Sequence, residues 1–380
     1  MKKRINVLLM VSWYGPRGEK PTGGIFHYEQ AIELNKYCNC AIYYPYDRTI
    51  NEDVVVGDDW GIATYRSKYK LENKIRNRIN MYKAMKKIVK EFKPDIIHGN
   101  VATEAGRYAV TMGQLFHIPV IISEHSAAEY SGVTSFPHHM YANRVYRLSK
   151  YNTCVSDHLT EKLKEIFPKY EFHTVYDGIM PVDRVLTGER QNYRKEGLVN
   201  IACVAGFYDR YIKGMQYLLP AYKRLIEDGE KVYLHIIGGG AYLEEYKGMA
   251  ADLGVADSII FYGACERSKV YNIVSDADFI VSASMIESFG CSVAEGVMLG
   301  KPAVGTRCGG LESIINDTTG LLVDSKDEKG LYEAMKSMVR KYIGYDSDEL
   351  SEYALKRFSI ETITKQYMDI YQEILVQQVL

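Results

Sequence analysis

The chain has 380 residues, 47% hydrophobic and 25% charged, with a formal net charge of −1. That length exceeds one compact core and suits two domains of ordinary size. The composition excludes a disordered or fibrous chain, and the near-zero charge gives no reason to expect a nucleic-acid partner. Seven scattered cysteines without metal-ligand spacing fit reduced thiols in a cytoplasmic protein. The opening MKKRINVLLMVSWYG imitates a signal peptide, but its apolar run is short, is broken by Asn6 and lacks a small-residue cleavage site, so a buried first strand is expected. No run of eighteen apolar residues marks a membrane span.

In chain order, short apolar or β-branched runs alternate with turns and stretches of helical period, the pattern of parallel βαβ units. The first half supplies runs at 5–12, 41–45, 95–99, 119–125 and 152–156. After a polar stretch at 187–196 the rhythm restarts at 199–206, 232–240, 258–263, 278–284, 302–306 and 320–323. Strands this apolar belong in sheets covered on both faces. Two doubly wound α/β halves follow, with ligands expected beyond the carboxyl ends of their strands and in the cleft where the halves face each other. Beyond Tyr342 the sequence reads as helix, long enough to return to the first half.

Residues 66–93 hold eleven basic and two acidic side chains, with Leu71, Ile75, Ile79, Tyr82, Met85, Ile88, Val89 and Phe92 at helical spacing. A basic helix with one apolar face is expected. It is either an ordinary solvated helix or one attracted to an anionic membrane surface, where each basic residue adds about 1 kcal/mol.

The chemistry clusters at predicted strand ends. Gly206, Arg210 and Lys213 fall between a strand and a helix start, where backbone amides and the helix dipole already favour an anion such as a diphosphate. Gly239, in a run of three glycines, suits a close backbone approach or merely a tight turn. The run Glu287, Ser288, Phe289, Gly290, Cys291 leads into a helical pattern carrying Glu295, and the free amides of its first turn would be offered to hydroxyls or phosphate. Carboxylates take pairs of hydrogen bonds, and sugar diols give pairs. Alternatively, Glu295 is a salt-bridged helix residue and Glu287 a helix cap. Gly23 and Gly24 open a helix after the first strand, a second anion-facing turn. His125 ends a strand beside Glu124, either facing a substrate or satisfied structurally. Asp276 and Asp278 form an Asp-X-Asp, with a metal role disfavoured because one closes a helix and the other opens a buried strand. The 32 tyrosines fit sugar-stacking surfaces or plain compositional drift.

These residues together resemble a retaining glycosyltransferase of the GT-B architecture, in the glycogen-synthase-like group called family 4. The resemblance runs over nearly the whole chain and is most specific at Glu287 to Glu295, an E-x7-E motif followed by Gly300, Lys301 and Pro302. It implies that Arg210 and Lys213 hold the donor diphosphate, that Glu287 contacts the transferred sugar and that Glu295 takes the ribose diol. Gly24, Phe289 and Gly290 would line the donor pocket, with Gly206, Gly239, Tyr262, Gly263, Ser288 and Cys291 around it, and His125 would reach the sugar. The family usually has Gly-Arg adjacent, whereas Phe207 follows Gly206 here, and the usual Asn-Gly is Asp177-Gly178.

The expected function is transfer of a sugar from a nucleoside diphosphate sugar to a hydroxyl of a glycan or lipid-linked acceptor, in bacterial cell-surface polysaccharide synthesis. No metal or other cofactor is expected, because fixed cations and helix N-termini can carry the leaving charge. A sugar-nucleotide epimerase of the same two-lobed fold and a silent binding protein are the competing readings. The first domain, 1–182 with 361–380 packed back on it, would bind the acceptor through Glu124, Tyr130, His138 and His139. The second, 183–360, would bind the donor. The expected location is cytoplasmic, peripheral at the inner face of the plasma membrane through the basic helix.

Overall fold

The computed structural model describes residues 4–15, 24–186 and 190–377. The chain divides into two compact units, residues 1–178 with 360–380 and residues 179–359.

Unit 1 is built on eight strands, β1 (Asn6–Met10), β2 (Asn39–Asp47), β3 (Val54–Asp59), β4 (Ile62–Lys68), β5 (Ile96–Asn100), β6 (Val120–Glu124), β7 (Tyr151–Cys154) and β8 (His173–Thr174). They lie in the order β3-β4-β2-β1-β5-β6-β7-β8. All neighbours are parallel except β3 and β4, which form an antiparallel hairpin at one edge. The central strands are buried on both faces, as helix-covered parallel strands must be.

The hairpin corrects the expectation of one basic helix over 66–93. Arg66 to Lys68 end β4, and the helix spans Lys74–Glu91, capped by the Asn73 side chain, which accepts the Arg76 N–H at 3.0 Å. Its buried face agrees with the predicted one only in the second half of the helix, at Met85 and Ile88. Asn77, Asn80, Met81, Ala84, Met85 and Ile88 face inward, while Leu71, Ile75, Ile79 and Tyr82 are exposed. Two asparagines set this rotation. Asn77 exchanges hydrogen bonds with the Lys70 backbone and Asn80 donates to the Lys68 carbonyl, so the amides lock the helix to the end of β4. Hydrogen bonds from these buried amides to the backbone outweigh the burial of two isoleucines.

Unit 2 carries β9 (Val199–Val204), β10 (Val232–Ile237), β11 (Ile259–Phe261), β12 (Phe279–Ser282), β13 (Ala303–Arg307) and β14 (Gly320–Asp324), all parallel, in the order β11-β10-β9-β12-β13-β14. Asp276 and Asp278 secure the segment that enters this unit. Asp276 takes the Tyr193 N–H at 2.7 Å and pairs with Arg190, and Asp278 receives both arms of Arg194 at 3.0 Å.

The final helix, Ile360–Val376, belongs to unit 1. Ile363, Tyr367, Ile370, Tyr371 and Ile374 join the core under β1, β2 and β5. Its tyrosines also complete a buried polar chain. His98 shares hydrogen bonds with Tyr371 at 2.7 Å and Ser123 at 2.6 Å, and Ser123 bonds Tyr367 at 3.0 Å. Among the described residues, no helix is long and apolar enough to cross a membrane.

Candidate functional site

In unit 2 the strand order reverses between β9 and β12, which places the preferred ligand position beyond their carboxyl ends. The chain after β9 runs through Lys213 to the helix Met215–Glu227, and the chain after β12 runs through Ser284 to Glu287. These segments meet. The Met285 N–H donates to the Ile212 carbonyl at 2.7 Å, Lys213 Nζ lies 2.5 Å from Glu287 Oε1, and Ser284 Oγ donates to the same oxygen at 2.8 Å. Both charged side chains are about one-fifth exposed (25% and 17%), so the pair is reachable yet largely shielded from water. Glu287 is held from the other side through its backbone, whose N–H donates to the Cys308 carbonyl.

Gly290 opens the helix Cys291–Met298 with φ +103, and a Cβ there would collide with Leu311. The turn can therefore lie flat against the 309–311 segment only with glycine at this position. The amides of Gly290 and Cys291 stay at the helix mouth, while the Phe289 ring is buried against Phe358. Phe289 thus anchors the turn with its side chain. Ser288 is half-buried beside it. Glu295, two turns on, is paired with Arg267 at 2.5 Å, at the start of the helix Arg267–Asp276.

Several other predicted residues have structural work. In the glycine run, a Cβ on Gly238 or Gly240 would strike the carbonyls of Ala205 or Phe207, and the Phe207 N–H donates to Gly239. These glycines let two loops of the protein pack together, with Gly206 in the facing loop. Gly263 accepts the Gly238 N–H, and the Tyr262 hydroxyl shares a 2.9 Å bond with His235, over which its ring is stacked. Arg210 is half exposed and paired with Glu245 at 2.6 Å, so its guanidinium is not part of the Lys213–Glu287 cluster.

In unit 1, Gly24 caps the helix Ile25–Leu34 with φ +73, whereas Gly23 lies outside the described residues. His125 follows β6 and is almost fully buried. Its Nδ1 lies 3.0 Å from Asp177 Oδ1 and its Nε2 2.7 Å from Asn100 Nδ2. A carboxylate takes a proton and an amide nitrogen gives one, so the partners select the tautomer protonated at Nδ1. Glu124 does not face an acceptor. It is 1% exposed and accepts the Ala102 N–H at 2.7 Å and the Tyr146 hydroxyl at 2.9 Å, and burial pushes its carboxyl up to about 7. His139 is stacked on Phe167 and bonded to the Val133 carbonyl, and both it and His138 are exposed. Tyr130 sits in the short helix Ala128–Ser131, and its side chain is outside the described set. Among the described residues no group of three or more His, Cys, Asp or Glu side chains could hold a metal ion.

Two family models account for most of the chain: one described as Glycosyltransferase Family 4 matches residues 33–181, and one described as Glycosyl transferases group 1 matches residues 188–357. The chain belongs to the glycosyltransferases of this type. Relatives include an alpha-monoglucosyldiacylglycerol synthase of Streptococcus pneumoniae, 26% identical over 71% of this chain and 65% of that protein. A lipopolysaccharide core biosynthesis glycosyltransferase of Rhizobium meliloti is 25% identical over 76% of this chain and 78% of its own length. Against the Streptococcus protein, then, the match spans just under two thirds of the relative's length. Among solved structures, an Anabaena protein in complex with UDP and glucose matches with a TM-score of 0.77 at 14% identity, covering 97% of this chain and 99% of that one. At that identity the likeness establishes the GT-B fold.

For this glycosyltransferase, three residues near the predicted site were not singled out from sequence. Arg267 pairs with Glu295, and Asn100 with Asp177 brackets His125. In the sequence Asp177 stands out only as a variant of the usual Asn-Gly turn. A helix-opening arginine, one of many in a charged chain, carries no mark of its partner 28 positions away. Asn100 ends a strand and looks like an ordinary terminator.

Proposed function

We propose that this chain transfers a sugar, with retention, from a nucleoside diphosphate sugar to a hydroxyl of a glycan or lipid-linked acceptor in the assembly of bacterial cell-surface polysaccharide. The observation that carries the reading is the meeting of Lys213, Ser284 and Glu287 at the strand-order reversal of unit 2, beside the helix mouth at Gly290. The names of the relatives, with lipid and lipopolysaccharide products, and the UDP and glucose of the Anabaena structure point the same way.

In the reaction the bond from the anomeric carbon to the diphosphate oxygen breaks, and a bond to the acceptor oxygen forms. The acceptor proton leaves toward the departing phosphate. Negative charge grows on the diphosphate, so Lys213 and the amides of Gly290 and Cys291 act as preoriented positive ends that need not reorganise. Glu287 has two tasks: it holds the Lys213 ammonium and offers its second oxygen to sugar hydroxyls. Glu295, steadied by Arg267, is assigned to the ribose diol. His125 is assigned to the sugar, with Asp177 fixing its ring and Asn100 as the exchangeable partner. No metal is part of the proposal.

Thermal unfolding with UDP, GDP and ADP sugars tests it, since a donor stabilises the fold by mass action. One class should raise Tm and release its diphosphate with acceptor present, and Lys213→Ala should lose most of that stabilisation. No response to any donor, or Lys213→Ala and Glu287→Ala both binding donor as the native chain does, would overturn it. Exposed Ile75 and Ile79 on a helix with seven basic residues and one glutamate support peripheral contact with anionic lipid at the inner membrane face. Co-sedimentation with phosphatidylglycerol vesicles at low salt should fall on Ile79→Glu, and absence of binding by the native chain would remove this part.

A further inference from the structure

Unit 1 repeats the reversal of unit 2, with β2 and β5 on opposite sides of β1. Beyond the carboxyl ends of these three strands lies a cavity of about 580 Å³, within the range of small-molecule sites, about 300–1,000 Å³. Tyr14, Tyr44, Tyr46, Tyr69 and Tyr108 line it as a connected set. Ring centroids are 6.4 Å apart for Tyr14 and Tyr44, 6.3 Å for Tyr44 and Tyr46, 5.3 Å for Tyr46 and Tyr69, and 5.9 Å for Tyr46 and Tyr108.

Two further observations mark it as a ligand site. Val101, directly after β5, has φ +58, a left-handed conformation that is strained for a β-branched residue. The next amide, Ala102, is pinned by buried Glu124 at 2.7 Å, so the strained turn is held in place, and it carries Thr103, Glu104 and Arg107 to the cavity wall. A polar group is also left available. Arg107 lies flat over Tyr141 at 3.8 Å and forms no ion pair among the described residues, leaving its N–H edge for an acceptor.

We propose that this cavity binds a pyranose unit of the acceptor. The proposal rests on the sugar-transfer reading and narrows its acceptor to one that ends in a sugar rather than a bare lipid alcohol. Tyrosine rings match the C–H faces of a pyranose, Glu104 takes hydroxyl protons, and Arg107 donates to ring or hydroxyl oxygens. Behind the wall Arg66 pairs with both Asp47 and Asp59, while Arg48, Arg107 and Glu104 lie on the cavity wall itself. Glu124 is a positioning residue for this site.

Saturation-transfer NMR on the full chain, with the methyl glycosides of glucose, galactose, mannose, N-acetylglucosamine and glucuronic acid as probes, tests the assignment. At least one should bind. Tyr69→Ala and Arg107→Ala should weaken it about five- to tenfold, while Tyr69→Phe, which keeps the ring, should stay within about twofold. All three variants should retain the donor-induced rise in Tm, which also reports that they fold. Binding by none of the five glycosides, or native affinity in Tyr69→Ala, overturns the cavity assignment. The two readings fail separately: no response to any nucleotide sugar counts against sugar transfer, whereas a normal donor response without glycoside binding counts against this site alone.

Discussion

Arg66 is 1% exposed and stands between two carboxylates, with Nη1 2.8 Å from Asp47 Oδ2 and from the Gly15 carbonyl, and Nη2 2.9 Å from Asp59 Oδ2. Replacing it by methionine keeps most of the volume but leaves two buried acids facing each other. Breaking such a pair costs about 3–5 kcal/mol, or about 6–20 °C in Tm for a unit of this size. The pH dependence supplies a second check. Burial alone would raise the Asp47 pKa, but hydrogen bonds from Thr49 and Arg66 outweigh it and hold the group below its usual value. Its stabilising contribution is therefore complete at neutral pH and is lost only as the pH falls through that depressed pKa. In Arg66→Met the orphaned carboxylates repel and take up protons more readily, so the penalty is greatest at neutral pH and shrinks on acidification. Urea unfolding followed by tryptophan fluorescence suits the measurement, because Trp13 and Trp60 both lie in unit 1. A cost below about 0.5 kcal/mol, the size of a surface substitution, or an equal cost at pH 7.5 and pH 5, would refute the reasoning.

Glu124 titrates in the opposite sense. Its buried carboxyl is pushed up to about 7, so the folded chain holds a proton that the unfolded chain releases near pH 4.5, and stability should fall as the pH rises between those values. Glu124→Gln should flatten that decline in urea midpoints measured from pH 5 to 7.5. Arg267→Ala should free Glu295 and weaken UDP binding about tenfold by calorimetry, with a smaller effect on turnover at saturating donor.

The alternating strands and helices were legible because each core strand is an unbroken apolar run, and VLLM of β1 or IIHG of β5 can only be a buried strand. The β3–β4 hairpin was not legible. Its strands carry Asp58, Asp59 and Arg66, and the charges that make Arg66 acceptable inside are 7 and 19 positions away. Counted by sequence, Arg66 adds to a basic surface; in the fold it is neutralised. The helix Lys74–Glu91 misled for a related reason. Hydrophobic periodicity pointed to Ile75 and Ile79, but Asn77 and Asn80 had backbone partners at the end of β4, and sequence periodicity does not register a satisfied amide. At the site, Glu287 and Lys213 could be named from their turns, since glycines and strand ends mark such places locally. What each side chain touches was a matter of long-range pairing. That is why Arg210 proved to be engaged with Glu245, Glu295 with Arg267, and five of the 32 tyrosines gathered around one cavity.

The last helix of unit 1 has a consequence for synthesis. Unit 2 is continuous, residues 179–359, and emerges from the ribosome with every part of itself present. Unit 1 begins first yet is completed last, because Tyr367 and Tyr371 reach His98 and Ser123 only after the helix Ile360–Val376 has been made. The usual order, in which the amino-terminal domain folds ahead of its successor, is thereby inverted. A nascent chain stopped near residue 359 would carry a finished second unit and a first one with part of its core still open to water, so premature release exposes the amino-terminal half to proteolysis.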